Sequence, residues 1–230
     1  MNVALKLPNQ AASVRRATPD DVPRLARLFT AVFATDPVFR WLTRADRSRH
    51  AALERFFLWA LKSRTLPHDE TWLAADGLAA AAWIPPYSSA SSSSLLDDLW
   101  MLPKILSLTG LPRLTRGAAM AAAMADAQPA EPCFYLAFIG VAPRLQGAGL
   151  GSLLLERTLA RVDAARAGAY LENSNPRNLK LYERAGFSVT REIVARSDAP
   201  PLYAMWRAPR AAACKPGELG TRQGSSTMSQ

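Results

Sequence analysis

In the first part of the chain, apolar residues recur every three to four positions, which is the period of a helix. Thr18 and Pro19, followed by two acidic residues, are typical of a helix start. Beyond them one face is apolar and carries Val22, Leu25, Leu28, Phe29 and Val32. Pro37 interrupts this pattern, which resumes over about 46–64. The spacing therefore predicts two amphipathic helices, each with one buried face.

Short apolar runs rich in branched and aromatic residues predict the strands. Two of them, 71–75 and 78–84, are joined by Asp76 and Gly77, a dipeptide favoured in hairpin turns. A third run, 134–141, has the length and composition of a buried central strand. The remaining predicted strands are 13–16, 169–173, 187–194 and 202–207.

A longer segment separates the hairpin from the central strand. It begins with two prolines, continues with a serine-rich stretch that is flexible by composition, and contains two helical patterns. Both ends of the chain lack apolar periodicity, and we expect them to be disordered. The predicted organisation is a single domain over 13–209 with a helical insertion at 85–131 (helices at 95–108 and about 113–127), between tails at 1–12 and 210–230.

A glycine-rich turn directly follows the central strand. Gly147, Gly149 and Gly151 fall within 146–152, and Leu150, Leu153, Leu154 and Val162 then repeat at helical spacing up to Gly168, which we expect to cap the helix. Backbone without Cβ atoms can approach a ligand closely, and the free N–H groups of a helix start face it with the positive end of the helix dipole. Such a turn is typical of an anion site, most often one for phosphate.

Two phosphate-binding classes fit this turn poorly. A P-loop needs Lys immediately before the Ser or Thr that meets magnesium, whereas Gly151 precedes Ser152 here. A dinucleotide fold is a closer rival, because Gly147, Gly149 and the later Glu172 imitate its fingerprint. Its third glycine is misplaced, however, and too few elements follow for the long βαβ series that it usually opens. Dinucleotide binding therefore stays an alternative.

A third pattern matches residue by residue. It resembles the GNAT superfamily of acetyl-CoA-dependent N-acetyltransferases, and its residues are Gln146, Gly149, Gly151, Asn175, Asn178, Tyr182, Gly186 and Phe187. The segments CFYLAFIGVAPRLQGAGLGS and ENSNPRNLKLYERAGF look most like the puromycin N-acetyltransferase-type members. The likeness is close over about 131–207 and looser back to about 13. It implies an α/β (α+β) fold, a mixed and mostly antiparallel central sheet flanked by helices.

The resemblance also implies roles for individual residues. The backbone of the central strand would bind the pantetheine arm and thioester of acetyl-CoA, and the amides of the turn would hold its pyrophosphate. Asn178 would contact the same co-substrate, and Tyr182 would protonate the departing thiolate. The implied acetyl-CoA-binding residues are Ile139, Gly140, Val141, Gln146, Gly147, Ala148, Gly149, Leu150, Gly151, Ser152, Asn178 and Tyr182.

The proton acceptor is less well defined by the sequence. Glu172 lies on the strand after the glycine-turn helix and could act as the base or only bind a cationic acceptor, and Glu131 is the other candidate. Asn175 is expected to shape the turn before the last helix. The insertion could form one wall of the acceptor pocket, cover the sheet, or do both.

The resemblance implies an enzyme, an acyltransferase that moves an acetyl group to a primary amine of a small molecule or peptide by direct attack in a ternary complex. A non-catalytic acyl-CoA sensor is the alternative from another class, and it would be expected to lose Tyr182 or a route for the acceptor. The identity of the amine stays open, and resistance to puromycin does not follow from the resemblance.

Composition excludes several other classes. The net charge of +9 comes from scattered basic residues without interleaved aromatic clusters, so we expect no nucleic-acid partner. Two cysteines, Cys133 and Cys214, and two histidines, His50 and His68, predict neither a disulfide framework nor a metal site. The first ten residues are too short in their apolar part for a signal peptide, and apolar runs fall short of a membrane span. We expect a cytoplasmic protein without membrane contact, as a monomer or homodimer.

Overall fold

A seven-stranded sheet runs through the computed structural model, which describes residues 13–86 and 103–210. Its spatial order is β1-β2-β3-β4-β5-β7-β6, and β4 with β5 is the parallel pair while the other neighbours are antiparallel. The predicted mixed, mostly antiparallel sheet is confirmed. The strands are β1 Arg15–Arg16, β2 Thr71–Ala74, β3 Ala79–Ile84, β4 Cys133–Val141, β5 Gly168–Asn173, β6 Ser188–Ile193 and β7 Leu202–Arg207.

Helices flank the sheet on both faces. Of the predicted ones, the first two and the glycine-turn helix are confirmed, and the structure adds a short helix that starts at Pro37, where the sequence indicated only an interruption. The helices are α1 Val22–Phe33, α2 Pro37–Leu42, α3 Arg49–Ala60 (continued by a π-helical turn, Leu61–Thr65), α4 over the described residues 103–109, α5 Leu114–Ala127, α6 Leu150–Ala164 and α7 Leu179–Arg184.

The alanine-rich strand β3 shows how the two helical layers meet the sheet. All six of its residues are buried, as expected for a strand covered on both faces. Ala79, Ala81 and Trp83 pack on the side of α6, whereas Ala80 packs with the helices α1 and α3. Small side chains on β3 let both layers approach closely.

Helix α5 covers the far end of the sheet. Its Met120 is 3% exposed and packs in one cluster with Tyr170 of β5, Ile193 of β6 and Leu202 of β7. Of the roles that the sequence left open for the insertion, this contact favours sheet cover for its second helix. The predicted helix at 95–108 lies mostly outside the described residues, as do the two tails, apart from Arg210.

The predicted cap at Gly168 is wrong. Helix α6 ends at Ala164, and the left-handed residue beyond it is Arg166, with φ of 52°. Gly168 is instead the first residue of β5. A Cβ atom at this position would lie 2.3 Å from the indole of Trp206, so the glycine serves close packing between β5 and β7.

Candidate active site

The parallel strands β4 and β5 separate after only three paired positions. Cys133, Phe134 and Tyr135 pair with the first three residues of β5, and beyond them β4 continues to Val141 paired only with β3. The edge of β4 that faces β5 therefore carries backbone groups that a ligand can pair with. A cavity of about 720 Å³ lies in this opening.

The cavity brings together nearly all of the sequence-predicted site residues. Two predicted residues do not line it: Ala148, within the glycine turn, and Glu131, which is exposed to solvent. Of the two candidate bases, the structure thus places only Glu172 at the cavity. The predicted residues that do line it are Ile139, Gly140, Val141, Gln146, Gly147, Gly149, Leu150, Gly151, Ser152, Glu172, Asn178 and Tyr182.

The glycine turn presents open backbone to the cavity. Gly147 and Gly149 have φ of 82° and 84°, a left-handed conformation that other residues rarely adopt, and no atom lies within 4 Å of where their Cβ atoms would be. Among the described residues, no backbone acceptor pairs with the amides of Gly149 and the first three residues of α6. The Gln146 side chain ties the turn to the strand, since its Nε2 donates to the Val141 carbonyl at 3.2 Å. The turn is thus preformed with free donors.

Gly140 has a different role from the glycines of the turn. A Cβ atom here would lie 3.2 Å from side-chain atoms of both Phe29 and Val32. Its missing side chain therefore lets α1 pack closely on β4. The same contact places the end of α1 against the strand that lines the cavity.

Tyr182 reaches the cavity from α7. The residue is buried, with 6% of its surface exposed, and its ring meets Phe187 edge-on with centroids 6.2 Å apart. Burial, and then the nearby charge of Asp36, raise the pKa of its hydroxyl well above the usual value. No hydrogen bond joins this hydroxyl to any residue in the described part of the chain, so it holds its proton and is free to donate it.

Glu172 lies at the point where β4 and β5 part. Its neighbours there are Tyr135 and Tyr170, a cross-strand pair with ring centroids 6.0 Å apart. Burial raises the pKa of Glu172 to about 7, although hydrogen bonds with the hydroxyls of both tyrosines partly lower this pKa. Its Oε1 atom is buried without a hydrogen-bond partner among the described residues. A carboxyl group with a pKa near neutrality can exchange a proton at physiological pH.

The opposite wall of the cavity was missed by the sequence analysis. It consists of the end of α1 and the segment leading to α2, together with Phe138 of β4 and Ser174 after β5. The residues from the first segment are Val32, Phe33, Thr35 and Asp36. Asp36 followed by Pro37 is a typical N-cap and first helical residue, and this was the signal that could have located the segment. No described residue of the insertion lines the cavity.

The charged residues around the cavity divide by element. Arg177 and Arg184 come from the α7 region, which also contributes Asn178. Asp36 and Glu172 come from the α1–α2 segment and from β5. Neither histidine lines the cavity. Asn175 shapes the turn as expected, because its side chain accepts a hydrogen bond from the amide of Arg177 at 3.1 Å.

The sheet opens beside a turn with free backbone donors, and a tyrosine and a glutamate line the opening. The model of the acetyltransferase (GNAT) family matches residues 36–187. The chain therefore belongs to this family, which confirms the resemblance. The single parallel pair in the described sheet also differs from the long parallel series of a dinucleotide fold.

Solved structures share the fold over most of the chain. One of them, from Corynebacterium glutamicum, is described as histone acetyltransferase HPA2 and related acetyltransferase. It aligns with 88% of this chain and 98% of its own, with a TM-score of 0.64 and 23% identity. A polyamine N-acetyltransferase from Drosophila melanogaster aligns with 85% of this chain and 99% of its own, with a TM-score of 0.59 and 16% identity. Arylalkylamine N-acetyltransferase 2 from Aedes aegypti aligns with 85% of this chain and 98% of its own, with a TM-score of 0.61 and 12% identity.

Two further features are absent from the described residues. None of their helices combines the length and apolar character needed to cross a bilayer. Nor do they contain a cluster of three or more histidine, cysteine, aspartate or glutamate residues arranged to hold a metal ion.

Proposed function

We propose that this protein transfers the acetyl group of acetyl-CoA to a primary amine of a small molecule or peptide. The observation that carries the proposal is the opening between β4 and β5, which ends at a preformed glycine turn. A free strand edge suits an amide-containing pantetheine arm, and an anion-binding turn suits a pyrophosphate.

The residues present fit acetyl-CoA in their chemistry. The positive φ values and open space at Gly147 and Gly149 leave room for phosphate oxygens close to the backbone. Arg177 and Asn178 at the same cavity supply a positive charge and a polar contact. When bound, acetyl-CoA supplies an acetyl group as a thioester, whose C–S bond breaks as the amine nitrogen bonds to the carbonyl carbon.

Two side chains move the protons in this reaction. The carboxylate of Glu172 accepts one proton from the amine, directly or through water, and its pKa of about 7 suits this role near neutral pH. Tyr182 donates its hydroxyl proton to the sulfur, which has taken the electron pair of the broken bond. Glu172 then releases its proton to solvent and Tyr182 regains one from solvent, and the products are an N-acetylated amine and free CoA thiol.

The kind of amine is the least constrained part of the proposal. The fold neighbours include a polyamine N-acetyltransferase and an arylalkylamine N-acetyltransferase, so that small amines are the first acceptors to test. The sensor alternative predicts binding of acetyl-CoA without transfer. Release of CoA thiol in the presence of an amine panel separates the two.

The test combines binding and turnover on a matched pair of glycine variants. Gly149→Asp introduces a Cβ atom and a negative charge into the turn, and we expect acetyl-CoA affinity by calorimetry to fall at least about 100-fold, through lost backbone contact and charge repulsion. Gly110→Asp is the control, because Gly110 also has positive φ (68°) but does not line the cavity. Unchanged affinity in Gly149→Asp would show that this turn holds no phosphate.

A further inference from the structure

Asp36 is a buried carboxylate at the cavity with an unusual tertiary contact. It caps α2, and its Oδ1 accepts a hydrogen bond from the amide of Phe39 at 3.0 Å. Its Oδ2 accepts a short hydrogen bond from the hydroxyl of Ser174, which follows β5. These two contacts fix the carboxylate between the α1–α2 segment and the end of β5.

A capping role alone does not explain a carboxylate at this place. Asn or Ser would cap the helix equally well without a charge. Burial leaves Asp36 only 8% exposed, and it raises the pKa of the group despite the hydrogen bonds that oppose this change. In the described part of the chain Asp36 forms no salt bridge. Since a buried charge is costly without a partner, the site is suited to a cation from outside the chain.

Asp36 also lies close to the proposed reaction centre. After burial, its charge also raises the pKa of the Tyr182 hydroxyl, so the two groups lie near each other. Ser174 follows Glu172 by two residues, a separation of about 6.6 Å along extended chain. Both Asp36 and Ser174 line the cavity together with Glu172 and Tyr182.

Apolar side chains adjoin this carboxylate on the same wall. Phe33 and Phe138 both line the cavity, with ring centroids 6.1 Å apart and planes at 78°. Val32 continues this surface along α1. An acceptor that meets the whole wall needs a cationic group for Asp36 and an apolar body for the two rings.

We propose that Asp36, oriented by Ser174, binds the ammonium group of the acceptor and so restricts acceptors to cationic primary amines on an apolar carbon skeleton. This inference rests on the proposed acetyl transfer and adds the acceptor class. Asp36 holds the cation, which loses one proton to water before it attacks, and Glu172 receives the second proton as the C–N bond forms. Ser174 is a positioning residue, because it acts through the carboxylate that it orients.

A pair of probes with the same shape but different charge tests the role of Asp36. 2-Phenylethylamine is a cation at neutral pH, whereas O-benzylhydroxylamine has nearly the same size and a neutral amino group. We expect wild-type KM to be at least about 10-fold lower for the cation, since a hydrogen bond to a charged group is the stronger one. This comparison needs no variant.

Asp36→Asn then assigns the preference to one residue. Asn retains the helix cap and the shape of the side chain. We expect KM for 2-phenylethylamine to rise about 10- to 100-fold, the loss of one charge-assisted contact, while KM for O-benzylhydroxylamine changes less than about 3-fold. Ser174→Ala should raise the first KM more than it lowers kcat. Thr35→Ala, an uncharged change on the same wall, should affect both probes alike.

Each remaining outcome decides against the inference. Equal KM for both probes in the wild type, or an equal rise for both in Asp36→Asn, would show that Asp36 is structural. Acetylation of polyamines or amino sugars but of neither aryl probe would overturn the apolar skeleton. Acetyl-CoA binding without transfer to any amine would instead overturn the proposed function itself.

Discussion

Replacing Glu172 with Gln should make the protein more stable and less active at the same time. Folding raises the pKa of Glu172 from 4.5 to about 7, so the folded protein holds this proton more tightly than the unfolded chain does. Stability therefore falls as pH rises between those two values, and the loss remains complete above pH 7. At about 1.4 kcal/mol per pH unit, the ionised carboxylate costs up to about 3 kcal/mol. Gln keeps the shape of the side chain without this cost.

Thermal unfolding at two pH values measures the effect. At pH 4.5, where the carboxyl group is largely protonated, the two proteins should melt within about 2 °C of each other. At pH 8.5, Glu172→Gln should melt higher by up to about 6 to 12 °C, because 1 kcal/mol corresponds to about 2 to 4 °C in a protein of this size. The comparison at each pH cancels the titration of all other groups.

Turnover supplies the second half of the same experiment. If Glu172 is the base, kcat/KM of the wild type rises as pH increases through about 7, because the base must be deprotonated. In Glu172→Gln this rise should disappear and turnover should fall by about 10²- to 10⁴-fold. Glu131→Gln is the control, since this exposed carboxylate does not line the cavity, and both stability and the pH profile should stay unchanged.

Three results would refute this reasoning. Equal melting temperatures of Glu172→Gln and the wild type at pH 8.5 would mean that the carboxylate is not held in an unfavourable environment. Full turnover with an unchanged pH profile would mean that Glu172 only lies beside the reaction. The wild-type profile persisting in Glu172→Gln but vanishing in Glu131→Gln would move the role of base to Glu131.

The remaining predictions concern packing and the acid. Tyr182→Phe should keep the free energy of unfolding within about 0.5 kcal/mol of the wild type, because its hydroxyl has no hydrogen-bond partner in the described residues, and it should lower turnover about 10²- to 10⁴-fold. Tyr203→Phe is the control, because Tyr203 lies outside the cavity, and it should not affect turnover. Full turnover in Tyr182→Phe would remove the acid role. Gly168→Ala should destabilise the protein by about 1 to 3 kcal/mol in chemical denaturation, since its Cβ would lie 2.3 Å from Trp206. Gly151→Ala is the control and should be neutral or stabilising, because the atom nearest to its added Cβ would be 3.6 Å away. Equal effects of the two changes would contradict the packing argument.

The elements of the fold could be predicted wherever one local pattern decides the structure. The helical spacing of α1, the Asp76-Gly77 hairpin and the glycine turn before α6 each depend on neighbours in sequence, and all three are confirmed. Helix α2 was missed because six residues are too few for a periodic pattern.

The glycines show where sequence information ends. Gly149 was correctly placed in an open turn, since it stands in a motif, and the structure gives it a φ of 84°. Gly168 looked like a helix cap, yet Trp206, 38 positions away, determines why no side chain fits there. Gly140 was predicted only as a backbone contact for the ligand, whereas Phe29 and Val32 of α1 occupy the space beside it. A close approach between distant segments leaves no local pattern.

The same physical reason divides the candidate site into a predictable and an unpredictable half. The residues proposed to bind acetyl-CoA come mostly from one continuous stretch, since β4, the turn and α6 follow one another, and nearly all of them line the cavity. The acceptor side depends on a hydrogen bond between Asp36 and Ser174, which are 138 positions apart. That contact depends on the tertiary arrangement of the two segments, which no local pattern in the sequence encodes. The charge that we propose to select the acceptor therefore lies in a segment with a weak sequence signal.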